Sequence, residues 1–479
     1  MSKTYTIATG NEYTSKAAAQ ILDEGGNAYD AILAALFMSF VSEPLLSSPG
    51  GGGYLLAQPN KDKALIFDFF AQTPFSKDVV EKDFYPIIGN FGATQQEFHI
   101  GMSSVATPGI PAGIFAIHNQ LGSMDLKQIA TPAVKKARQG IEVNAIGAEV
   151  IKILTPILKS SCHAQAIFST PQNSLLREGD IQSNKHLATF LENLASNPMD
   201  WFYFDAPAFE IVNDMKHYNG LLRQQDFENY QVSIREPLSL ELNNWKILTN
   251  AYPTTGGRLI TEQIKHALNS SAQSDEQKII EAMINADKFK NKDTFQSSKG
   301  TTHMSVIDAD NNVASMTVSN GEGSGYVVPN SGFMLNNFLG EEDINTSGFF
   351  NFKENTRMAS MMSPTIIANS TDKIALGTGG SNRIKTALFQ VIWHIIANNN
   401  TLDQAINAPR FHYENGVLDM ELGINKEDVI PLNLPFEDTV SWLHRSLYFG
   451  GVNAVQHGNK NLAIGDSRRN GFGIVKNYS

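Results

Sequence analysis

Cysteine is almost absent from this sequence, which has a single one, Cys162, among 479 residues. One cysteine excludes an intramolecular disulfide and any zinc site built from several thiolates. Long apolar runs are also missing. The longest, residues 31–41, is interrupted by Ser39, whereas a membrane-spanning helix needs about 20 apolar residues. We therefore expect a buried core helix at 31–41 and no membrane partner.

Basic residues are in deficit, because 37 Lys and Arg against 48 Asp and Glu give a net charge of −11. Nucleic-acid phosphates need clustered cations, so we expect no nucleic-acid partner. The first residues show no basic start followed by an apolar run, and we expect no signal peptide and a cytoplasmic protein. An apolar content of 42% is typical of a folded chain with a large core.

Helix and strand signals alternate along the chain. Residues 14–41 predict two helices, with Thr14 or Ser15 capping the first, Gly25-Gly26 ending it and Asn27 capping the second. Apolar runs at 54–57 and 65–70 predict paired buried strands. The polar segment 291–300 predicts an exposed connector, and it leads directly into a hairpin with strands at 303–308 and 313–319. Strands are also predicted at 365–368 and 373–377, before a helix-rich segment from Ser381.

The junction of the connector and the hairpin reads Gly300-Thr301-Thr302-His303. A threonine hydroxyl becomes a useful nucleophile when the residue is N-terminal, because its own α-amine then serves as the base. An internal Thr301 reaches that state only if the chain is cut before it, and Gly300 offers an unhindered carbonyl for that cut. From the residues alone, the alternative that Thr301 simply begins a strand stays open. We expect His303 to be a strand residue with a local hydrogen bond.

The segment 300–315 resembles the processing site of the γ-glutamyltranspeptidase family, T-T-H-x-S-V-x-D-x-x-G-N-x-V-S. Other segments resemble the same family in the same order, over essentially the whole chain: 25–31, 48–54, 105–109, 332–337, 362–365, 379–384, 407–412 and 449–454. The resemblance implies an α+β fold, a four-layer αββα sandwich of the N-terminal-nucleophile hydrolase type. It also implies cleavage into segments 1–300 and 301–479, which stay together as a heterodimer of fragments. A dimer of such units stays open.

The resemblance also implies roles for the catalytic residues. Thr301 corresponds to the nucleophile, which first cuts the Gly300–Thr301 bond. Ser319 stands where the family has a threonine that hydrogen-bonds the nucleophile region. Gly379 and Gly380 correspond to the pair whose backbone N–H groups form the oxyanion hole. The resemblance implies no metal and no cofactor.

The implied substrate-binding positions depart from the family pattern. Ser360 corresponds to one of two adjacent serines that bind the substrate α-carboxylate. Glu341 stands where the family has an aspartate that binds the substrate α-amine. Phe70 stands where the family has a carboxylate-gripping arginine, and Met361 replaces the second serine. The family's asparagine corresponds to Gly321 by strict counting, or to Asn320 with a shift of one residue. We therefore expect weak binding of glutathione-like donors.

Three functions remain open at this stage. The first is a self-processing threonine amidohydrolase or acyltransferase, acting on small γ-glutamyl amides such as glutathione with water or an amine as acceptor. The second is an acylase for an acyl group that is not an α-amino acid, as in cephalosporin acylases. The third is a non-catalytic relative. We expect Arg468 and Arg469 to be structural, and residues 336–363 are too short to hold the lid loop of many family members.

Overall fold

A computed structural model describes residues 4–90, 95–290, 300–342, 344–345, 348–429, 432 and 434–477. The helices are α1 (Glu12–Asp23), α2 (Ala28–Ser42), α3 (Ile110–Leu121), α4 (Leu126–Gln139), α5 (Ala145–Ile153), α6 (Thr155–Leu158), α7 (Cys162–Ile167), α8 (Lys185–Ser196), α9 (Asp200–Tyr203), α10 (Ala206–His217), α11 (Gln224–Glu228), α12 (Gly256–Asn269), α13 (Asp275–Lys290), α14 (Arg383–Ile396), α15 (Leu402–Asn407) and α16 (Lys426–Val429).

The strands are β1 (Thr4–Thr9), β2 (Gly52–Gln58), β3 (Leu65–Phe69), β4 (Tyr85–Asn90), β5 (Gln95–Ile100), β6 (Ile141–Glu142), β7 (Ile181–Gln182), β8 (Ser233–Arg235), β9 (Leu238–Leu242), β10 (Trp245–Thr249), β11 (Thr301–Ile307), β12 (Val313–Ser319), β13 (Thr365–Ala368), β14 (Lys373–Gly379), β15 (Phe411–Glu414), β16 (Val417–Met420), β17 (Asp438–Ser441), β18 (Gly451–His457), β19 (Leu462–Ile464) and β20 (Phe472–Asn477). The predicted hairpin is β11–β12, and the other predicted strand pair is β2–β3. The strands predicted at 365–368 and 373–377 are β13 and β14, which also pair with each other.

Two antiparallel sheets form the middle of the molecule. One has the strand order β20-β1-β11-β12-β2-β3-β8 and the other β19-β18-β14-β13-β10-β9. Strand β11 of the first sheet packs on β14 and β18 of the second. Helices α1, α2 and α3 pack on the outer face of the first sheet, with α4 and α8 outside α2, and helices α12, α13 and α14 lie on the outer side of the second. The layer order helix–sheet–sheet–helix confirms the predicted αββα sandwich.

Helix α2 is buried along nearly its whole length, because it lies between the first sheet and the outer helices. Asn27 caps it as predicted. The Asp30 carboxylate accepts a hydrogen bond from the Asn27 backbone N–H, which completes a capping box. The expected cap of α1 at Thr14 or Ser15 is wrong. That helix begins at Glu12, because the Asn11 side chain accepts a hydrogen bond from the Tyr13 backbone. Among the described residues, no helix combines the length and apolarity needed to cross a bilayer.

Side-chain alternation along β11 sets the position of the threonine pair. Met304 and Val306 pack into the core beneath α2, whereas Ser305 bonds to the backbone of β18 in the second sheet. Because side chains alternate along a strand, Thr302 faces α2 and Thr301 faces the second sheet. Thr301 therefore lies at the end of the sandwich, where β11 begins and β14 ends. Of the predicted connector 291–300, residues 291–299 lie outside the described residues.

Candidate active site

The Gly300 carbonyl at the predicted cleavage point is held by two hydrogen-bond donors. The Ser319 hydroxyl donates to it at 2.6 Å, and the Asn320 backbone N–H donates at 3.3 Å. Only glycine fits at this position, since a Cβ on Gly300 would lie 1.8 Å from the carbonyl oxygen of Gly321. Negative charge that develops on the Gly300 oxygen would therefore meet donors that are already in place.

The Thr301 side chain is buried, with 1% of the residue exposed. Its hydroxyl has no hydrogen-bond partner among the described residues. A buried hydroxyl without a partner costs free energy, which a group that bonded to it would recover. Within the described residues, the Thr301 hydroxyl is therefore available to bond to, or react with, another group.

The glycine pair lies directly against this threonine. Gly379 ends β14, and a Cβ on it would lie 2.0 Å from the Thr301 carbonyl oxygen. Gly380 follows with φ +127°, a conformation that favours glycine, and α14 starts three residues later. The structure brings Thr301, Ser319 and the glycine pair together, as the resemblance implies.

Glu43 is a cavity residue that sequence reasoning missed. It follows the last residue of α2, and its Oε1 accepts a hydrogen bond from the Thr302 hydroxyl at 2.8 Å. Burial raises the pKa of the Glu43 carboxyl to about 7, against the opposing effects of hydrogen bonds from Thr302 and Thr14 and the charge of Arg469. No motif in the sequence links Glu43 to Thr302, because the two residues are 259 positions apart and only the tertiary structure brings them together.

His303 is uncharged in the folded protein. Its Nδ1 lies 2.8 Å from the Thr317 hydroxyl and its Nε2 lies 2.8 Å from the Ser305 hydroxyl. Burial lowers the pKa of His303 to about 3. With both ring nitrogens engaged, His303 is a structural strand residue and not a base for Thr301.

A cavity of about 110 Å³ opens beside Thr301 and the glycine pair. One wall is apolar and comes from the end of α2 and the segment around α5: Leu45, Leu46, Ile141, Val143, Val150, Leu154 and Phe168. The other wall carries the polar groups Glu43, Glu322, Arg383, Tyr448 and Arg469. The nucleophile candidate therefore faces a cleft that has both apolar and cationic surface.

None of the five predicted substrate-binding residues is among the described residues that line this cavity. Phe70 is fully buried, and its ring packs on those of Tyr54 and Phe338, with centroids 5.6 and 4.7 Å away. Met361 is likewise fully buried in the same core cluster. The expectation that these two side chains shape the substrate cavity is therefore not met, because their apolar bulk is used for core packing.

The remaining three also lie outside the lining. The Ser360 hydroxyl accepts a hydrogen bond from the Met362 backbone at 3.0 Å. The Asn320 side-chain amide donates to the Met334 carbonyl at 3.3 Å. Glu341 is buried, with 3% of the residue exposed. These three residues are buried, and none of them is among the described residues that line the cavity beside Thr301.

Comparison with known proteins gives matches along the whole chain. The family described as gamma-glutamyltranspeptidase matches residues 14–293 and 259–475. A glutathione hydrolase proenzyme of Bacillus subtilis (strain 168) is 25% identical, covering 98% of this chain and 91% of the relative. One of Escherichia coli (strain K12) is 26% identical, covering 85% of this chain and 80% of the relative. The crystal structure of a cephalosporin acylase from Bacillus halodurans has a similar fold, with a TM-score of 0.84, 19% identity, and coverage of 99% and 96% of the two chains.

Proposed function

Because the chain belongs to the γ-glutamyltranspeptidase family, we propose that it is a self-processing enzyme in which Thr301 cuts an amide by nucleophilic attack. The proposed substrate is a small γ-glutamyl amide, and the acyl acceptor is water or an amine. The observation that carries the proposal is the junction itself. An unpartnered Thr301 hydroxyl adjoins a Gly300 carbonyl that already accepts two hydrogen bonds.

Self-cleavage begins with attack of the Thr301 Oγ on the Gly300 carbonyl carbon. The Gly300–Thr301 C–N bond breaks, the acyl group moves to Oγ as an ester, and the hydroxyl proton ends on the freed amine. Ser319 and the Asn320 N–H hold the carbonyl oxygen as it gains charge. Water then hydrolyses the ester, leaving a Gly300 carboxylate and an N-terminal Thr301.

Substrate turnover repeats the attack on an external amide. The α-amine of Thr301 takes the proton from Oγ and passes it to the departing amine, and the acyl group remains on Thr301 as an ester. Gly379 adjoins Thr301, which supports the backbone N–H groups of Gly379 and Gly380 as the proposed donors to the developing oxyanion. Water or an amine then releases the acyl group and restores the threonine.

One observation favours a second candidate, an acylase for acyl groups that lack an α-amine. The residues that would correspond to the glutamyl-binding set, including Phe70 and Met361, lie in the interior. The cavity itself has an extensive apolar wall. Rates on a γ-glutamyl anilide and a glutaryl anilide, measured side by side, separate the candidates. Faster turnover of the glutaryl compound favours the acylase.

The proposal is tested by the intact mass of the denatured protein and by N-terminal sequencing. We expect two fragments, 1–300 and 301–479, with the second beginning Thr301-Thr302-His303. Thr301→Ala should stay uncut and inactive, while Thr301→Ser keeps a hydroxyl and should still be cut. An Ala variant that turned over the same amide would overturn the proposal.

A further inference from the structure

Most of the buried arginines that the structure describes around the second sheet have a carboxylate partner. Arg410 pairs with Asp466 at 2.6 Å, and Arg468 pairs with Glu421 at 2.6 Å. Such pairs offset the cost of removing a cation from water. Two arginines in the wall of the Thr301 cavity, Arg383 and Arg469, make no ion pair with any carboxylate in the described part of the chain.

Arg383 is the first residue of α14, three residues after Gly380, and only 8% of it is exposed. Its guanidinium stacks on the ring of Tyr448, 3.9 Å from the centroid. Tyr448 is fixed in turn, because its hydroxyl donates to Asp419 at 2.7 Å. Within the described residues, the Arg383 Nε has no hydrogen-bond partner. Stacking therefore holds the guanidinium in place while its Nε–H donor remains unused.

Arg469 reaches the reacting groups directly. Its guanidinium donates to the Leu447 carbonyl at 3.1 and 3.2 Å, and to the Thr301 carbonyl at 3.4 Å. Its terminal nitrogens also lie 3.0 and 3.4 Å from the points where Cβ atoms on Gly379 and Gly380 would stand. Backbone carbonyls orient this guanidinium beside the glycine pair without neutralising it.

The two cations act on each other. The pKa of Arg469 falls to about 10, because of burial and the nearby charge of Arg383, while the charges of Asp466 and Glu43 oppose the shift. Glu43 lies on the same wall, but its raised pKa keeps part of that carboxyl protonated near neutral pH. Two further acids, Glu142 and Glu322, also line the cavity. Because neither guanidinium forms an ion pair with these acids in the described residues, both cations are available to a bound anion.

We propose that Arg383 and Arg469 bind a carboxylate on the acyl group of the substrate, which makes the substrate a mono-amide of a short dicarboxylic acid. This inference rests on the proposed function and names its specificity residues. The acyl stem must be short, because Arg469 touches both the Thr301 carbonyl and the glycine pair. In this proposal the two guanidiniums bind the substrate carboxylate in place of the family arginine, whose position is occupied here by Phe70.

The test compares two anilides that differ only in a terminal carboxylate, glutaryl anilide and pentanoyl anilide. The measured quantity is the ratio of their kcat/KM values. The wild-type protein should favour the glutaryl compound by at least about tenfold, as a charge-assisted hydrogen bond supports. A ratio near one, or a preference for pentanoyl anilide, overturns the inference.

Substitutions then locate the carboxylate. Arg383→Gln and Arg469→Gln should each reduce the ratio by about tenfold or more, mainly through KM for the glutaryl compound. The charge-conserving Arg383→Lys and Arg469→Lys should recover part of it. Arg445→Gln is the matched control, because Arg445 is an exposed arginine that bonds Asn407 outside the cavity, and it should keep the wild-type ratio. Equal ratios in the Gln variants and the control contradict the inference.

A binding measurement separates failure of this inference from failure of the proposed function. Isothermal titration of the Thr301→Ala protein with glutarate and with pentanoate needs no turnover. Tighter binding of glutarate that is lost in Thr301→Ala/Arg383→Gln supports the anion site, even if Thr301 proves not to be the nucleophile. Equal binding of the two acids rejects the site, even if the wild-type protein cleaves itself as proposed.

Discussion

The segment around Asp68 and the cavity beside Thr301 differ in how their charged groups are paired. The Asp68 carboxylate accepts a hydrogen bond from Arg235 at 2.8 Å and lies 3.5 Å from Arg357. The residues that follow it, up to Phe70, are buried among other aromatic rings. Beside Thr301, Arg383 and Arg469 make no ion pair with any carboxylate among the described residues.

This difference separates polar groups that stabilise the fold from those that serve a ligand. A paired buried charge keeps its place in the folded chain, and removal of either partner is costly. An unpartnered buried group costs free energy in the empty protein and recovers it when a ligand supplies the missing bond. This criterion favours the Thr301 cavity as the place of the proposed substrate, whereas Phe70, where the family arginine would stand, is packed in the core.

The largest effect on the free energy of unfolding is expected when the family arginine is introduced at position 70. Phe70→Arg puts a charge among Tyr54 and Phe338 and should destabilise the protein by at least about 3–5 kcal/mol, the usual cost of losing a core phenylalanine. It should not speed γ-glutamyl turnover. Urea unfolding is best measured in the Thr301→Ala background, where a single uncut chain unfolds.

Phe70→Leu is the control for this substitution, because it keeps an apolar side chain and should cost about 1 kcal/mol. If Phe70→Arg folded with wild-type stability and accelerated cleavage of a γ-glutamyl anilide, the position would belong to the substrate site and the comparison would fail.

Two neighbouring arginines provide the next test. Arg468→Met leaves the buried Glu421 carboxylate without its cation and should cost about 3–5 kcal/mol, while Asp466 keeps its pair with Arg410. Arg469→Met removes a cation that has no carboxylate partner in the described residues but donates to the Leu447 and Thr301 carbonyls, so its effect on the free energy of unfolding should be smaller, about 1–2 kcal/mol. Equal losses of unfolding free energy in the two variants would show that Arg469 is also a structural cation.

Much of the secondary structure could be predicted from the sequence, because short local patterns determine where helices and strands begin and end. Capping at Asn27, apolar strand runs and the turn at 309–312 each determine their own element, and the hairpin β11–β12 followed from alternation alone. The collinear resemblance added how these elements pack. The predicted cap of α1 failed because Asn11, one residue before the helix, competes with Thr14 and Ser15 for the same role.

The candidate site was predictable only in part. Thr301, Ser319 and the glycine pair stand in recognisable motifs, and the structure brings them together. The binding wall was not predictable, because each of its charged members comes from a different part of the chain. Only the tertiary structure shows that Arg468 points to Glu421 while the adjacent Arg469 points to Thr301.

Self-cleavage should depend on the hydroxyl that holds the scissile carbonyl. Ser319→Ala removes the 2.6 Å bond to the Gly300 oxygen and should slow cleavage by about 10²–10³-fold, the usual effect of losing one oxyanion donor. The cut fraction is followed over time by intact mass. Ser315→Ala is the control, since Ser315 lies on the same face of β12 and donates to the Leu376 carbonyl away from the junction. Similar rates in both variants would remove Ser319 from the cleavage step.

The last expected effect concerns Glu43, which belongs to the cavity but already has a partner in Thr302. Its pKa of about 7 lies above the usual 4.5, so the folded state favours the protonated form. The wild-type protein therefore loses stability through this group as pH rises from about 4.5 to 7, and loses nothing further above that. Glu43→Gln removes this dependence. The unfolding free energy of the variant, minus that of the wild type, should rise over the same window and then level off.

His303 and His412, whose pKa values fall to about 3 and 4, destabilise both proteins alike in acid, so their effect cancels in this difference. A difference that stayed constant from pH 4.5 to 8 would show that Glu43 titrates normally and is solvated in the cavity.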